Sequence, residues 1–195
     1  MARAALIVVD VQRDFCEGGA LAAADTLSLL EPLNEFIGEA RQAGAVIVFT
    51  RDWHPSNHSS FKPNGGPWPV HCVAETEGAE LMPPLQAQAS DLMIHKGVGL
   101  GGAGYSGFEG TGLDAHLKKL GVSRIAVSGI ATEYCVRATA LDGMKAGFET
   151  AVLKDLIRPV QAGGTPGVLA ELGTAGAQGI SAGVWLKGIK ERQAG

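Results

Sequence analysis

Six short apolar runs, at 4–9, 45–50, 92–95, 124–128, 150–153 and, more weakly, 179–182, punctuate this chain. They are continuous in Val, Ile, Leu and Ala instead of alternating with polar residues. Strands covered on both faces carry that pattern, as in parallel sheets. Helix-like segments lie between them, near 26–43, 111–120, 132–146 and 165–176. Gly44, Gly121 and Gly147 follow three of these, where a helix ends on a left-handed residue. Strand alternating with helix predicts an α/β fold, an open parallel sheet with helices on both faces. A length of 195 residues suits one such domain, spanning 1–195. The stretch 52–90, rich in Pro, Gly, Ser and Asn, breaks the rhythm and is read as a functional loop.

Charge narrows the classes of partner. The formal net charge is -4 and no long basic run is present. Nucleic-acid and anionic-membrane surfaces need clustered Lys and Arg, so neither partner is expected. The run at 4–9 is too short for a membrane span and no small-residue cleavage site follows, so a cytoplasmic location is expected. The three cysteines, Cys16, Cys72 and Cys135, are an odd number, which disfavours a disulfide framework.

Reactive residues fall where the strands end. Asp10 closes the first run, Asp52 and His54 follow the second, Lys96 closes the third, and Cys135 comes just after the fourth. In an open parallel sheet all these ends share one edge, and ligands bind there. Polar residues often terminate strands, but that alone does not predict an Asp, a Lys and a Cys from three separate ends. Gly129 permits a sharp turn before Cys135, and Thr132 is the expected N-cap of the following helix. Cys135 then sits in a first helical turn. There the helix dipole favours a thiolate, and free backbone N–H groups can bind an oxyanion. Free cysteines are most often small buried apolar residues, and Cys16 and Cys72 are read that way. Asp10 can take the thiol proton and pass it to a leaving amine, while Lys96 stabilises both negative charges.

A metal signal lies beside this set. Asp52 and His54 are two residues apart on one side of an extended chain, and His71 comes from the long loop. One Asp and two His suit a single divalent ion such as zinc, iron or manganese. His58 is either a further ligand or a partner behind the ligands, and the second reading is favoured. Gly99–Gly104 matches G-x-G-x-x-G, but the glycine-rich residues that follow cannot begin the helix a dinucleotide site needs. The stretch is read as a pocket wall.

These residues fall in a set of motifs. They are Asp10-Val11-Gln12-Arg13-Asp14-Phe15, Asp52-Trp53-His54-Pro55, the segment from Gly66 to Cys72, Lys96-Gly97, Tyr105-Ser106-Gly107-Phe108 and the segment from Gly129 to Val136. Together, and in this order, they resemble the nicotinamidases of the isochorismatase-like hydrolase superfamily, over nearly the whole chain. The resemblance implies a six-stranded, three-layer α/β/α fold and metal-dependent hydrolysis of nicotinamide to nicotinate and ammonia, a step of NAD salvage. It implies Asp10, Lys96 and Cys135 as the triad and Asp52, His54 and His71 as metal ligands. Phe15, Trp68 and Tyr105 match substrate-pocket positions, with Ile130 and Ala131 beside them. Ile130–Ala131 matches a non-proline cis peptide, and the N–H groups of Ala131 and Cys135 match the oxyanion hole. Pyrazinamide is a further expected substrate, and a homo-oligomer is allowed.

Two rivals remain. One is a metal-free relative, an isochorismatase or a carbamoyl amidohydrolase, which the Asp-x-His plus His set disfavours. The other is a non-enzymatic metal- or ligand-binding module, which would need no reactive Lys96 and Cys135.

Overall fold

The computed structural model describes residues 3–102 and 104–194. Six strands form its centre: β1 (Arg3–Val9), β2 (Val46–Asp52), β3 (Leu92–Lys96), β4 (Val122–Ile130), β5 (Glu149–Arg158) and β6 (Gln178–Ile180). All adjacent pairs are parallel, in the order β3-β2-β1-β4-β5-β6. Five helices cover the sheet: α1 (Leu27–Gln42), α2 (Leu113–Lys119), α3 (Arg137–Lys145), α4 (Thr165–Ala175) and α5 (Ala182–Ala194).

The continuous apolar runs are explained by two separate cores. Leu6 and Val8 of β1 pack with Leu29 and Leu33 of α1 and Trp185 of α5. Ala5, Ile7 and Val9 of the same strand pack on the other face, with Leu113 of α2, Ala140 of α3 and Leu172 of α4. Successive side chains point to opposite faces, so a strand with two cores needs an apolar residue at every position. Gly44, Gly121 and Gly147 all adopt positive φ behind their helices, as their placement predicts.

The sequence reading has no element after the weak run at 179–182, yet α5 follows β6 directly. Gly183 and Gly188 interrupt its apolar pattern and its end is strongly charged, which hides the helical period. Its first turn is tied down by Ala182 N–H, which donates to Asp155 Oδ1 at 2.9 Å. Among the described residues no helix is long and apolar enough to cross a membrane.

The chain runs outward from β1 to β2 and β3, then returns to the other side of β1 with β4. The reversal leaves a crevice beyond the carboxyl ends of β1 and β4, where open α/β sheets bind ligands. Gly129 makes these two ends close. It has φ +105°, and a Cβ there would lie 2.1 Å from the Val9 carbonyl oxygen, so any side chain would push β4 off β1.

Candidate active site

Asp10 is the first residue beyond β1. It is buried and held in the left-handed region (φ 49°), where few non-glycine residues sit. Its N–H donates to Thr50 O at 3.2 Å, and Thr50 Oγ1 donates to Asp10 Oδ1 at 2.6 Å. The end of β2 thus aims the carboxylate of β1. Its other oxygen, Oδ2, lies 2.8 Å from Lys96 Nζ, an ion pair whose angle falls short of an aligned hydrogen bond.

Lys96 closes β3 and is buried to the ammonium. It donates to Asp52 Oδ1 at 2.6 Å, to Gly104 O at 2.9 Å and to Cys135 Sγ at 3.4 Å. The sequence reading pairs Lys96 with Asp10 and Cys135. The structure adds Asp52, so one ammonium joins the expected triad to the expected ligand set. Burial acts to lower the Lys96 pKa, but Asp10, Asp52 and Cys135 outweigh it and hold it well above the ordinary lysine value. Lys96 is therefore a fixed cation.

The two carboxylates respond differently to this cation. Burial raises the Asp10 pKa, and Lys96 and Thr50 only partly offset that. For Asp52 burial also acts upward, but Lys96 and His54 outweigh it and hold the carboxyl well below its usual range. Asp10 is the group suited to gaining and losing a proton, while Asp52 stays charged.

Cys135 lies in a five-residue π-helical turn, Thr132–Val136, that leads into α3. Such turns concentrate at functional sites. Thr132 is not the N-cap. Ala131 occupies that position, with no side-chain cap, while Thr132 is the first residue of the turn and its Oγ1 is buried without a partner. The Ile130–Ala131 peptide is cis, as the resemblance implies. Ligand atoms of Asp10, Asp52 and Cys135 all lie within 4.8 Å of one another. Burial pushes the Cys135 thiol well up; Lys96 pulls it down, but Asp10 and Asp52 add to the rise. Burial thus opposes the thiolate that helix position favours, and a proton acceptor stands beside the sulfur.

Asp52, His54 and His71 form a second cluster, all buried, with one ligand atom from each within 4.8 Å of the others. His54 Nε2 lies 3.5 Å from Asp52 Oδ2. His54 Nδ1 is 2.9 Å from Gly97 O, and His71 Nδ1 is 2.8 Å from Pro69 O. A carbonyl can only accept, so each Nδ1 carries a proton and each Nε2 faces the cluster, where its lone pair can take a cation once any proton shared with Asp52 has left. This donor set fits one divalent ion. Gly97 is required here: at φ +62° its Cβ would lie 2.3 Å from His54 Cε1. His58 stands outside the cluster, stacked on the His54 ring at 4.2 Å with its Nδ1 2.7 Å from Ser60 Oγ.

Above both clusters is a cleft lined by Phe15, Trp68, Tyr105, Ile130 and Ala131, with Cys135, Asp52, His54 and His71 in its wall. All five residues expected at the substrate line it. Its aromatic side is interlocked: Trp68 Nε1 donates to Tyr105 OH at 3.1 Å, and Tyr134 meets the Trp68 ring edge-on at 5.2 Å.

Several site residues escape the sequence reading. Leu21, Ala23, Tyr134 and Val160 also line the cleft. Val160 is positioned by Glu133, whose Oε2 accepts its N–H at 2.9 Å. Gln12 Nε2 donates to Asp52 O and Ala79 O at 2.8 and 2.9 Å, and its Oε1 accepts from Asp52 N–H at 2.8 Å. Buried glutamine just past a strand was the signal available for it. The glycine-rich stretch Gly99–Gly104 is not the expected pocket wall. Among the described residues that stretch does not line the cleft; it supplies backbone acceptors, with Gly104 O taking Lys96. No helix starts at its glycines; α2 begins at Leu113.

The family model for the isochorismatase domain matches residues 4–181. The nicotinamidase/pyrazinamidase of Mycobacterium tuberculosis is 42% identical over 179 residues, covering 88% of this chain and 95% of its own length. A crystal structure of the pyrazinamidase of Pyrococcus horikoshii in complex with zinc superimposes with a TM-score of 0.88 at 44% identity, over 92% of this chain and 99% of that one. PnC1 from L. infantum, crystallised in complex with nicotinate, gives a TM-score of 0.83 at 35% identity, over 93% and 94% of the two chains.

Proposed function

This chain belongs to the isochorismatase domain family, and from that premise we propose that it is a nicotinamidase, hydrolysing nicotinamide to nicotinate and ammonia through a thioester on Cys135. The observation that carries the reading is the contact of buried Lys96 with Asp10, Asp52 and Cys135, the last two in the wall of an aromatic cleft.

The chemistry follows from the groups present. The flat pyridine ring stacks among Phe15, Trp68 and Tyr105, with the carboxamide toward Cys135. Asp10 accepts the thiol proton as Sγ bonds to the amide carbon. Lys96 stabilises the charge that builds during this transfer. The oxyanion is met by the backbone N–H groups of Ala131 and Cys135. Asp10 returns the proton to the amide nitrogen, the C–N bond breaks, and ammonia leaves a thioester. Asp10 then takes a proton from water as its oxygen attacks the thioester carbon. The C–S bond breaks, the proton on Asp10 returns to sulfur, and the nicotinic acid released gives its remaining proton to solvent to become nicotinate. Asp52, His54 and His71 would hold one divalent ion, with zinc as the first choice from the Pyrococcus relative. When bound it supplies a Lewis-acid anchor that orients the heteroaromatic ring. Pyrazinamide presents the same carboxamide on a similarly flat ring and is accepted in the same cleft.

Ammonia release from nicotinamide tests the reading, measured with and without a chelator and with Cys135→Ala. Release by the native protein that falls on chelation, and is absent in the variant, is expected. Release that ignores the chelator would point to a metal-free relative, and no release from the metal-loaded protein would leave a binding module.

A further inference from the structure

The opposite end of β4 carries a second buried cation that the proposed reaction does not use. Arg124 pairs in register with Glu149 of β5, and only 9% of it is exposed. Ile130 lies six positions further along β4, about 20 Å along a strand. Its Nε is buried with no hydrogen-bond partner, and no described residue forms an ion pair with it. Burial and the nearby Arg192 both push its pKa down, against a smaller upward pull from Glu149.

Arg124 opens onto a recess between the sheet and α5, with a cavity volume of ≈ 180 Å³. Trp185, Gly188 and Arg192 line it from one face of the helix, at i, i+3 and i+7. A Cβ on Gly188 would meet nothing within 4 Å, so that wall is open. The charged lining is two guanidinium groups and one carboxylate, Glu149. The buried, unpartnered Nε gains from an anion that reaches it, and the guanidinium fork matches two oxygens of one oxyanion.

We propose that this recess is an oxyanion-binding site, in which Arg124 of β4 and Arg192 of α5 hold a phosphate or carboxylate group between them. The bound group would fasten the last turns of α5 to the sheet, as Asp155 fastens the first. The site is separate from the cleft and does not depend on the proposed reaction.

Titration of the full chain with sodium phosphate and with sodium acetate, against sodium chloride at equal ionic strength, tests this. The readouts are the thermal midpoint and the fluorescence of Trp185, isolated by difference against a Trp185→Phe variant. A saturable rise over chloride with either oxyanion is expected, and the two arms distinguish phosphate from carboxylate. Arg124→Met should weaken the apparent affinity about tenfold or more, and Arg192→Ala by less. Gly188→Leu, which fills the recess, should abolish the response even if Arg124→Met folds poorly. Nicotinamide hydrolysis should stay within about twofold in Arg192→Ala and Gly188→Leu, since neither residue reaches the cleft. No oxyanion effect beyond chloride, or an effect unchanged in these variants, would overturn the proposal.

Discussion

Lys96 and Arg124 are both buried cations on the central sheet, and their surroundings differ in kind. Lys96, at a strand's carboxyl end, has Asp10 at 2.8 Å, Asp52 at 2.6 Å and a carbonyl at 2.9 Å. Arg124, near a strand's amino end, has no ion pair among the described residues. A buried charge is tolerated when its partners come with it. The first cation is completed by the fold itself, so it can serve chemistry without outside help. The second is left incomplete, so it is suited to receiving something.

The largest effect that would sharpen this contrast concerns the group Lys96 faces. Cys135→Ala should lower turnover of nicotinamide by on the order of 10⁴-fold or more while the protein stays folded. Steady-state ammonia release and a melting curve check both halves. Turnover at the native rate would mean that the charged cluster is structural. Next comes stability. Lys96→Met strands two buried carboxylates and should cost about 3–5 kcal/mol. Arg124→Met removes a charge that has no partner, so without added oxyanion it should be neutral or slightly stabilising. Denaturant melts of the pair decide this, and equal losses would break the comparison.

Smaller effects probe the ligand cluster and the base. Asp52→Ala should lose bound metal, read by elemental analysis, and should also loosen Lys96, because one oxygen of Asp52 meets the ammonium. Unchanged metal content would remove Asp52 from the ligand set. The smallest effect is in pH dependence. Asp10 must be ionised to take the thiol proton, and burial holds its pKa above the ordinary carboxylate value. Activity should therefore be lost as pH falls through a value above that of a free aspartate. Thr50 donates to Asp10 and lowers that pKa, so Thr50→Val should move the acid limb of kcat/KM to still higher pH, by less than about one unit. A limb that stays in place would assign the acid limb to another group.

Much of this was legible in the sequence because topology did the gathering. Once the apolar runs read as parallel strands, Asp10, Asp52, Lys96 and Cys135 had to share an edge. The periodicity failed where no period exists. Leu21, Ala23 and Val160 reach the cleft from irregular segments, and Val160 depends on a hydrogen bond to Glu133 that spacing cannot reveal. Thr132 has the chemistry of an N-cap, but the π-turn shifts the frame by a residue. Helix α5 is masked by two glycines and a charged end. Contact between Lys96 and Asp52 was also invisible, because side-chain direction at a strand end is set by packing rather than by alternation.

The carbonyls behind His54 and His71 have a further consequence. Each ring is already locked against Gly97 or Pro69 before any ion arrives. A ligand set that need not reorganise loses little entropy on binding and has little freedom to stretch or contract. Its selectivity among divalent ions then comes from stiffness: an ion that prefers a wider or many-sided shell must distort the cage, while one content with a few short bonds enters without strain.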